Sequence, residues 1–205
     1  ASDVAREASD CPILGLVKSI DGARTDVADT IQYRYYASTD LSGCDAASGA
    51  CHQLGDLREV IAPLGLTTQY LKYDRAGRIT QIRDAKGTLT ELAYNTRGDL
   101  VSHIVRGPDS ASDADDAITT MAYDLIGQVA RVTEPDGSYL SYGYDQAQRL
   151  VEVRDNQRNR LAYTLDNQGN STRQTIHAPS NTLKQVLARQ YDRLNRLNAE
   201  VRAPY

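Results

Sequence analysis

Short runs of aliphatic, Thr and Tyr residues recur along the chain, each broken by a polar turn signature. Thr88-Leu89-Thr90-Glu91-Leu92-Ala93-Tyr94 and Ser138-Tyr139-Leu140-Ser141-Tyr142-Gly143-Tyr144 have the composition that suits a pleated, half-buried strand. Asp84-Ala85-Lys86-Gly87 and Pro135-Asp136-Gly137 read as tight turns, because Asp bonds its own backbone two residues on and Gly enters positive φ without steric cost. The aliphatic residues do not alternate cleanly. Ile79 and Ile82, Val129 and Val132, and Leu150 and Val153 lie three apart, which places them on opposite faces of an unbroken strand. Partial burial of both faces is the expectation, with a bulge that resets the register as the other account. Leu183, Val186, Leu187, Leu194, Leu197 and Val201 fit a helical stripe as well as a strand, and the register of the repeat decides for strand.

That register is carried by a unit of Tyr, Asp or Asn, two free positions, Gly, a polar residue and an aliphatic. It stands at Tyr73-Asp74-Arg75-Ala76-Gly77-Arg78-Ile79 and again at Tyr94-Asn95-Thr96-Arg97-Gly98-Asp99-Leu100. Tyr123, Asp124 and Gly127 open the next copy. Tyr144 and Asp145 follow at the same interval that separates Tyr73 from Tyr94, with Gln148 in the glycine place. A further copy, again one interval on, keeps Asp166 and Gly169 but has Leu165 for Tyr, and the last has Tyr191 and Asp192 with Asn195 for Gly. The step from Tyr94 to Tyr123 exceeds the interval, and the polar stretch 107–116 accounts for the excess as an inserted loop. Self-similarity at a fixed period in the twenties marks a repeat architecture. The interval from one tyrosine to the next leaves room for two ordinary strands and two turns.

An earlier, degenerate copy is expected at Cys51-His52-Gln53-Leu54-Gly55, with Cys51 and His52 where Tyr and Asp stand elsewhere. The fold class expected is therefore all-β, built of antiparallel meandering hairpins. Residues 1–16 form a flexible N-terminal segment in this reading, and residues 17–205 form the array. The chain opens on Ala rather than Met, and its last copy stops at Ala203-Pro204-Tyr205 without a second half. Bare sheet edges are avoided in natural proteins, so the chain is expected to be part of a longer polypeptide.

Composition sharpens this picture. The 205 residues include 13 Tyr but no Phe or Trp, which points to a repeated slot whose ring packs while its hydroxyl reaches a polar partner. The net charge is −4 with both signs interspersed, which disfavours nucleic acid as a partner. No apolar run is long enough to span a membrane as a helix.

The repeat units at Tyr73–Gly87 and Tyr144–Leu150 resemble the YD repeats of bacterial Rhs proteins, of the C components of insecticidal toxin complexes and of teneurins. The likeness covers roughly residues 17–205. It implies a curved, spiralling antiparallel sheet, a segment of a YD-repeat shell that encapsulates a C-terminal toxin or effector before delivery. It further implies a structural role without enzyme activity or cofactor. The implied partners are the rest of the parent Rhs polypeptide and its enclosed toxin, with secretion-spike proteins or a small immunity or chaperone protein beside them. The implied location is outside the producing cell, reached through a bacterial secretion system such as type VI, with the cell surface as alternative. The resemblance does not extend to a shell-closing cleavage motif, a toxin domain or a spike-binding domain. A surface module that binds carbohydrate or protein through its tyrosines is the competing function.

Other candidate chemistry is thin. Cys44 and Cys51 are seven apart across a loop with Gly49, a spacing that a disulfide closes, with two free thiols as the alternative. Cys44, Cys51 and His52 match no zinc signature, and Cys11 reads as a small buried residue. Asp109, Asp113, Asp115 and Asp116 lack the Gly and Glu of a calcium loop, so they read as a solvated hairpin tip. His52, His103 and His177 are scattered, without a nucleophile at a known spacing. The Asp residues of the Tyr-Asp pairs recur with the period, and an active site is built once where a scaffold is built many times.

Overall fold

The computed structural model describes residues 12–24, 26–27, 29–45, 49–107 and 115–204, the side chain of Pro204 excepted. Residues 1–11 with Cys11, the loop tip 108–114 with Asp109 and Asp113, and Tyr205 lie outside the described residues. The chain divides into two compact units, Ala1–Ala117 and Ile118–Tyr205.

The first unit holds β1 (Ser19–Ile20), β2 (Ile31–Tyr35), β3 (Leu57–Ile61), β4 (Thr67–Tyr73), β5 (Ile79–Arg83), β6 (Leu89–Tyr94) and β7 (Leu100–Val105). Within this unit successive strands pair antiparallel, from β1 with β2 to β6 with β7. The second holds β8 (Ala117–Tyr123), β9 (Val129–Thr133), β10 (Tyr139–Tyr144), β11 (Leu150–Asp155), β12 (Arg160–Leu165), β13 (Ser171–His177), β14 (Leu183–Tyr191) and β15 (Leu197–Pro204). These also pair antiparallel with their sequence neighbours. The fold is all-β and meandering. A 3-10 turn lies at Pro63–Gly65. The segment 183–201, whose apolar spacing fitted a helix equally, is β14 and β15.

One irregularity recurs and explains the awkward aliphatic spacing. Tyr94 pairs with Leu100 and Ala93 with Ser102, so Val101 is an extra residue in its strand. Ala130, Val151, Thr172 and Asn198 occupy the same place in later copies. An extra residue on one strand leaves two residues facing one and shifts the alternation beyond it. Val129 faces Tyr123 while Val132 faces Met121, and Leu150 faces Tyr144 while Val153 faces Tyr142. Directly paired residues share a face, so residues three apart come to lie on one side. The bulge, set second in the sequence reading, thus accounts for the spacing, although residues on both faces are indeed half-buried.

The two faces differ in chemistry. In the second unit Leu161 and Ile176 continue the side of Tyr142 and Val153, whereas Arg131, Ser141, Arg154 and Arg160 lie on the other. In the first, Tyr70, Ile82, Thr90 and Val105 line one side, and Arg34, Glu59, Gln69 and Arg83 the other. Among the described residues, the buried apolar side chains are few: Tyr35, Cys51, Tyr73, Val186 and Leu187.

Candidate functional site

The recurring chemistry sits at the turns. Asp74, Asp84, Asn95, Asp124, Glu134, Asp145, Asp155, Asp166, Ala178 and Asp192 open loops of one geometry. The amide of this first residue donates to the carbonyl four residues on, and the amide three residues on donates back to its carbonyl, all at 2.8–3.2 Å. Where the first residue is Asp or Asn, its Oδ1 also accepts from the amides two and four residues on, at 2.8–3.0 Å. One short side chain thereby satisfies two turn amides that the ladder leaves over. The fourth residue takes positive φ, as at Gly77 (77°) and Gly98 (98°). Gln148 (64°) and Arg158 (70°) take it too, so the Gln in the glycine place adopts the glycine conformation rather than altering the turn. The turn at Asp155–Asn159 escaped the sequence reading because Arg158 hides its glycine slot.

Four of these carboxylates, Asp145, Asp155, Asp166 and Asp192, titrate low. The Arg149 amide, followed by its guanidinium, holds Asp145 below the ordinary carboxylate value, and Arg196 does the same for Asp192. Asn159 and Asn170, through their side chains first, lower Asp155 and Asp166.

The repeat tyrosines close the open ends of hairpins. The β5–β6 ladder runs only from Arg83 paired with Leu89 to Gln81 paired with Glu91, so the Ile79 carbonyl lies beyond it. The Tyr94 hydroxyl donates to that carbonyl at 2.9 Å. Tyr144 donates to Val129 at 2.9 Å, Tyr191 to Ser171 at 3.3 Å, and Tyr73 to Leu57. Burial raises the pKa of Tyr73, Tyr94 and Tyr144. The residue after the glycine place adds a second link. Arg149 Nη1 reaches the Asp166 carbonyl at 2.8 Å, Gln128 Nε2 the Gln148 carbonyl at 2.8 Å, and Asn170 Nδ2 the Asn195 Oδ1 at 3.0 Å. Arg78 lies 4.7 Å from the centre of the Tyr94 ring. These arms were absent from the sequence reading because Arg, Gln and Asn share little beyond reach.

The earliest copy needs a correction. Tyr35, not Cys51, pairs with Leu57, and Tyr36, not His52, exchanges the two turn bonds with Asp56 and Gly55 at 2.8 and 2.9 Å. Residues 37–54 are an insertion into that turn, and Cys51 and His52 belong to it. The Sγ atoms of Cys44 and Cys51 are bonded, with Cα atoms 4.8 Å apart. Cys51 is fully buried, its carbonyl accepts from the Tyr73 amide at 2.7 Å, and His52 stacks on Tyr36 with centroids 3.7 Å apart. The insertion is thus fastened to β4.

No group of three His, Cys, Asp or Glu side chains among the described residues is placed to hold a metal ion. Asp116 is no solvated tip: its side chain is fully buried and pairs with Arg106, which also meets Glu91. His177 is engaged by the Asn181 carbonyl at 3.3 Å and the Thr175 hydroxyl at 3.1 Å.

No curated protein matches the chain. The solved structure described as "Crystal Structure of TcdB2-TccC3-Cdc42" superposes with a TM-score of 0.63 at 17% identity, over 85% of this chain and 9% of that one. "Crystal Structure of TcdB2-TccC3 without hypervariable C-terminal region" gives a TM-score of 0.59 at 18% identity, over 85% and 9%. The chain therefore spans less than a tenth of the chains whose fold it shares. The Teneurin YD-shell family matches residues 11–204, in which the metered tyrosines and turns lie, and the chain belongs to that family.

Proposed function

We propose that this chain is a stretch of wall in a closed YD-repeat shell whose parent polypeptide encloses a C-terminal toxin or effector until delivery. The observation that carries the reading is the interlocking of successive repeats by tyrosine staples and turn arms. Such linkage makes a continuous barrier from units that bury little apolar surface each. The recurrent polar groups are engaged with the backbone of their own turn or of a neighbouring repeat, which is the economy of a scaffold rather than of a catalyst. The partners of this reading are the remaining shell, the cargo, and proteins that deliver or neutralise it, with release outside the producing cell. A type VI apparatus is one delivery route that the resemblance to Rhs proteins implies. The competing reading, a surface binding module presenting its tyrosines, fits less well, since Tyr35 and Tyr73 are buried and the staple hydroxyls are bonded to carbonyls.

The test is protease protection in the full-length parent. Its C-terminal cargo should survive a protease dose that digests the same cargo expressed alone, and cargo equally sensitive in both settings would overturn encapsulation.

A further inference from the structure

On the polar face of the second unit, strand register gathers cations that the sequence keeps apart. Arg131 pairs with Ser141, Ser141 with Arg154, and Arg154 with Arg160, so three arginines stand in one row across β9–β12. Arg154 and Arg160 are like charges set directly opposite, an arrangement that costs stability unless something neutralises it. The first unit solves the same problem internally, for its Arg34 faces Glu59 at 3.4 Å. In the second unit Glu152 serves two arginines at once. It meets Arg154 Nε at 2.6 Å and Arg160 Nη1 at 3.4 Å.

The remaining charge has no counterpart. Arg158 projects from the adjoining turn, and among the described residues no carboxylate pairs with it or with Arg131. Asp155, the acid that lines the groove, has its oxygens taken by Gln157 and Asn159. Arg160 Nε is buried without a hydrogen-bond partner, while its Nη2 donates to Asn181 at 3.1 Å. Arg131 lies over the Tyr139 ring at 4.1 Å, which holds its planar group in place. Together these residues line an open groove of about 540 Å³.

We propose that this groove binds an extended acidic segment of polypeptide with Asp or Glu at alternate positions. The chemistry is already displayed by Glu152, whose carboxylate takes Arg154 through two nitrogens, Nε at 2.6 Å and Nη2 at 3.1 Å, the paired geometry that guanidinium groups favour for carboxylates. The spacing agrees. From Arg131 to Arg160 is three strand steps, roughly 14 Å, and alternate side chains of an extended peptide recur at roughly 7 Å on one face, so three carboxylates cover the row. The site stands on this chain alone and is independent of whether a shell closes around cargo.

Fluorescence anisotropy of a labelled peptide of alternating Glu and Ser, titrated with the 205-residue chain at low salt, tests this. Saturable binding should weaken about tenfold for each of Arg131→Gln and Arg158→Gln, and should be unchanged in Arg193→Gln, which alters a turn tip outside the groove. Circular dichroism melts of all variants should coincide, since neither groove arginine holds a structural ion pair. No peptide binding, equal binding by all variants, or binding of heparin in place of the peptide would each overturn the assignment.

Discussion

Gln148 and Arg158 hold the left-handed conformation that Gly77 and Gly98 hold in sister turns, at a cost of about 1–2 kcal/mol for a residue bearing Cβ. Replacing either by Gly should raise stability, by about 0.5–1 kcal/mol once the added freedom of the unfolded chain is subtracted. The reverse change, Gly77→Val, should lower it by at least about 1–2 kcal/mol, since a branched side chain tolerates this region least. Gly107→Val should cost less. Its φ is not left-handed, and a Cβ there meets the movable end of Asp115. Urea midpoints of the four variants give the comparison, and a Gly77 variant no weaker than the Gly107 variant would contradict the turn assignment. Residue types with special backbone freedom were legible in the sequence for this reason. Arg158 was not, because nothing in an arginine advertises positive φ.

At the scale of the hairpin, the tyrosine staple is the device to remove. Tyr94→Phe and Tyr144→Phe keep the ring and delete the bond to the Ile79 and Val129 carbonyls, so each should cost about 1 kcal/mol. The sites belong to separate units and share no partner, and the double variant should show the sum within about 0.5 kcal/mol. Chemical denaturation of the two single variants and the double variant checks both statements. Runs rich in Thr, Tyr and aliphatic residues between turn signatures announced the strands. The bulge that reconciles Leu150 with Val153 was visible only as a spacing anomaly, because an extra residue leaves no mark of its own in composition. The displaced first copy was misread for a related reason: Gly55 lies four after Cys51 as Gly77 lies four after Tyr73, whereas the partner that completes its turn is Tyr36, across an insertion. The arginine row lies wholly outside sequence reasoning, since only strand pairing makes neighbours of Arg131, Arg154 and Arg160.

For the molecule as a whole, repeated capping makes stability a collective function of pH. The folded pKa values of Asp84, Asp145, Asp155, Asp166 and Asp192 are lowered by turn amides and neighbouring side chains. A lowered folded value means stability that is fully present above the unfolded carboxyl value of about 3.9 and lost as the pH falls through the folded values. Melting temperature should therefore hold steady from neutrality to about pH 5 and fall below about pH 4. Asp145→Asn, which keeps the accepting oxygen as Asn95 does, should make that fall shallower, and an unchanged acid profile would count against the turn carboxylates as its source.

The nearest-neighbour staples of the second unit carry a mechanical consequence. Tyr191 is tied to Ser171, Asn170 to Asn195, and Arg149 to Asp166, so the bonds of each hairpin reach no farther than the one beside it. Tension applied at the tail would strip hairpins off singly, like stitches from a hem, lengthening the tether by about 70 Å for each repeat released. Such a sheet yields readily to a pull along its thread.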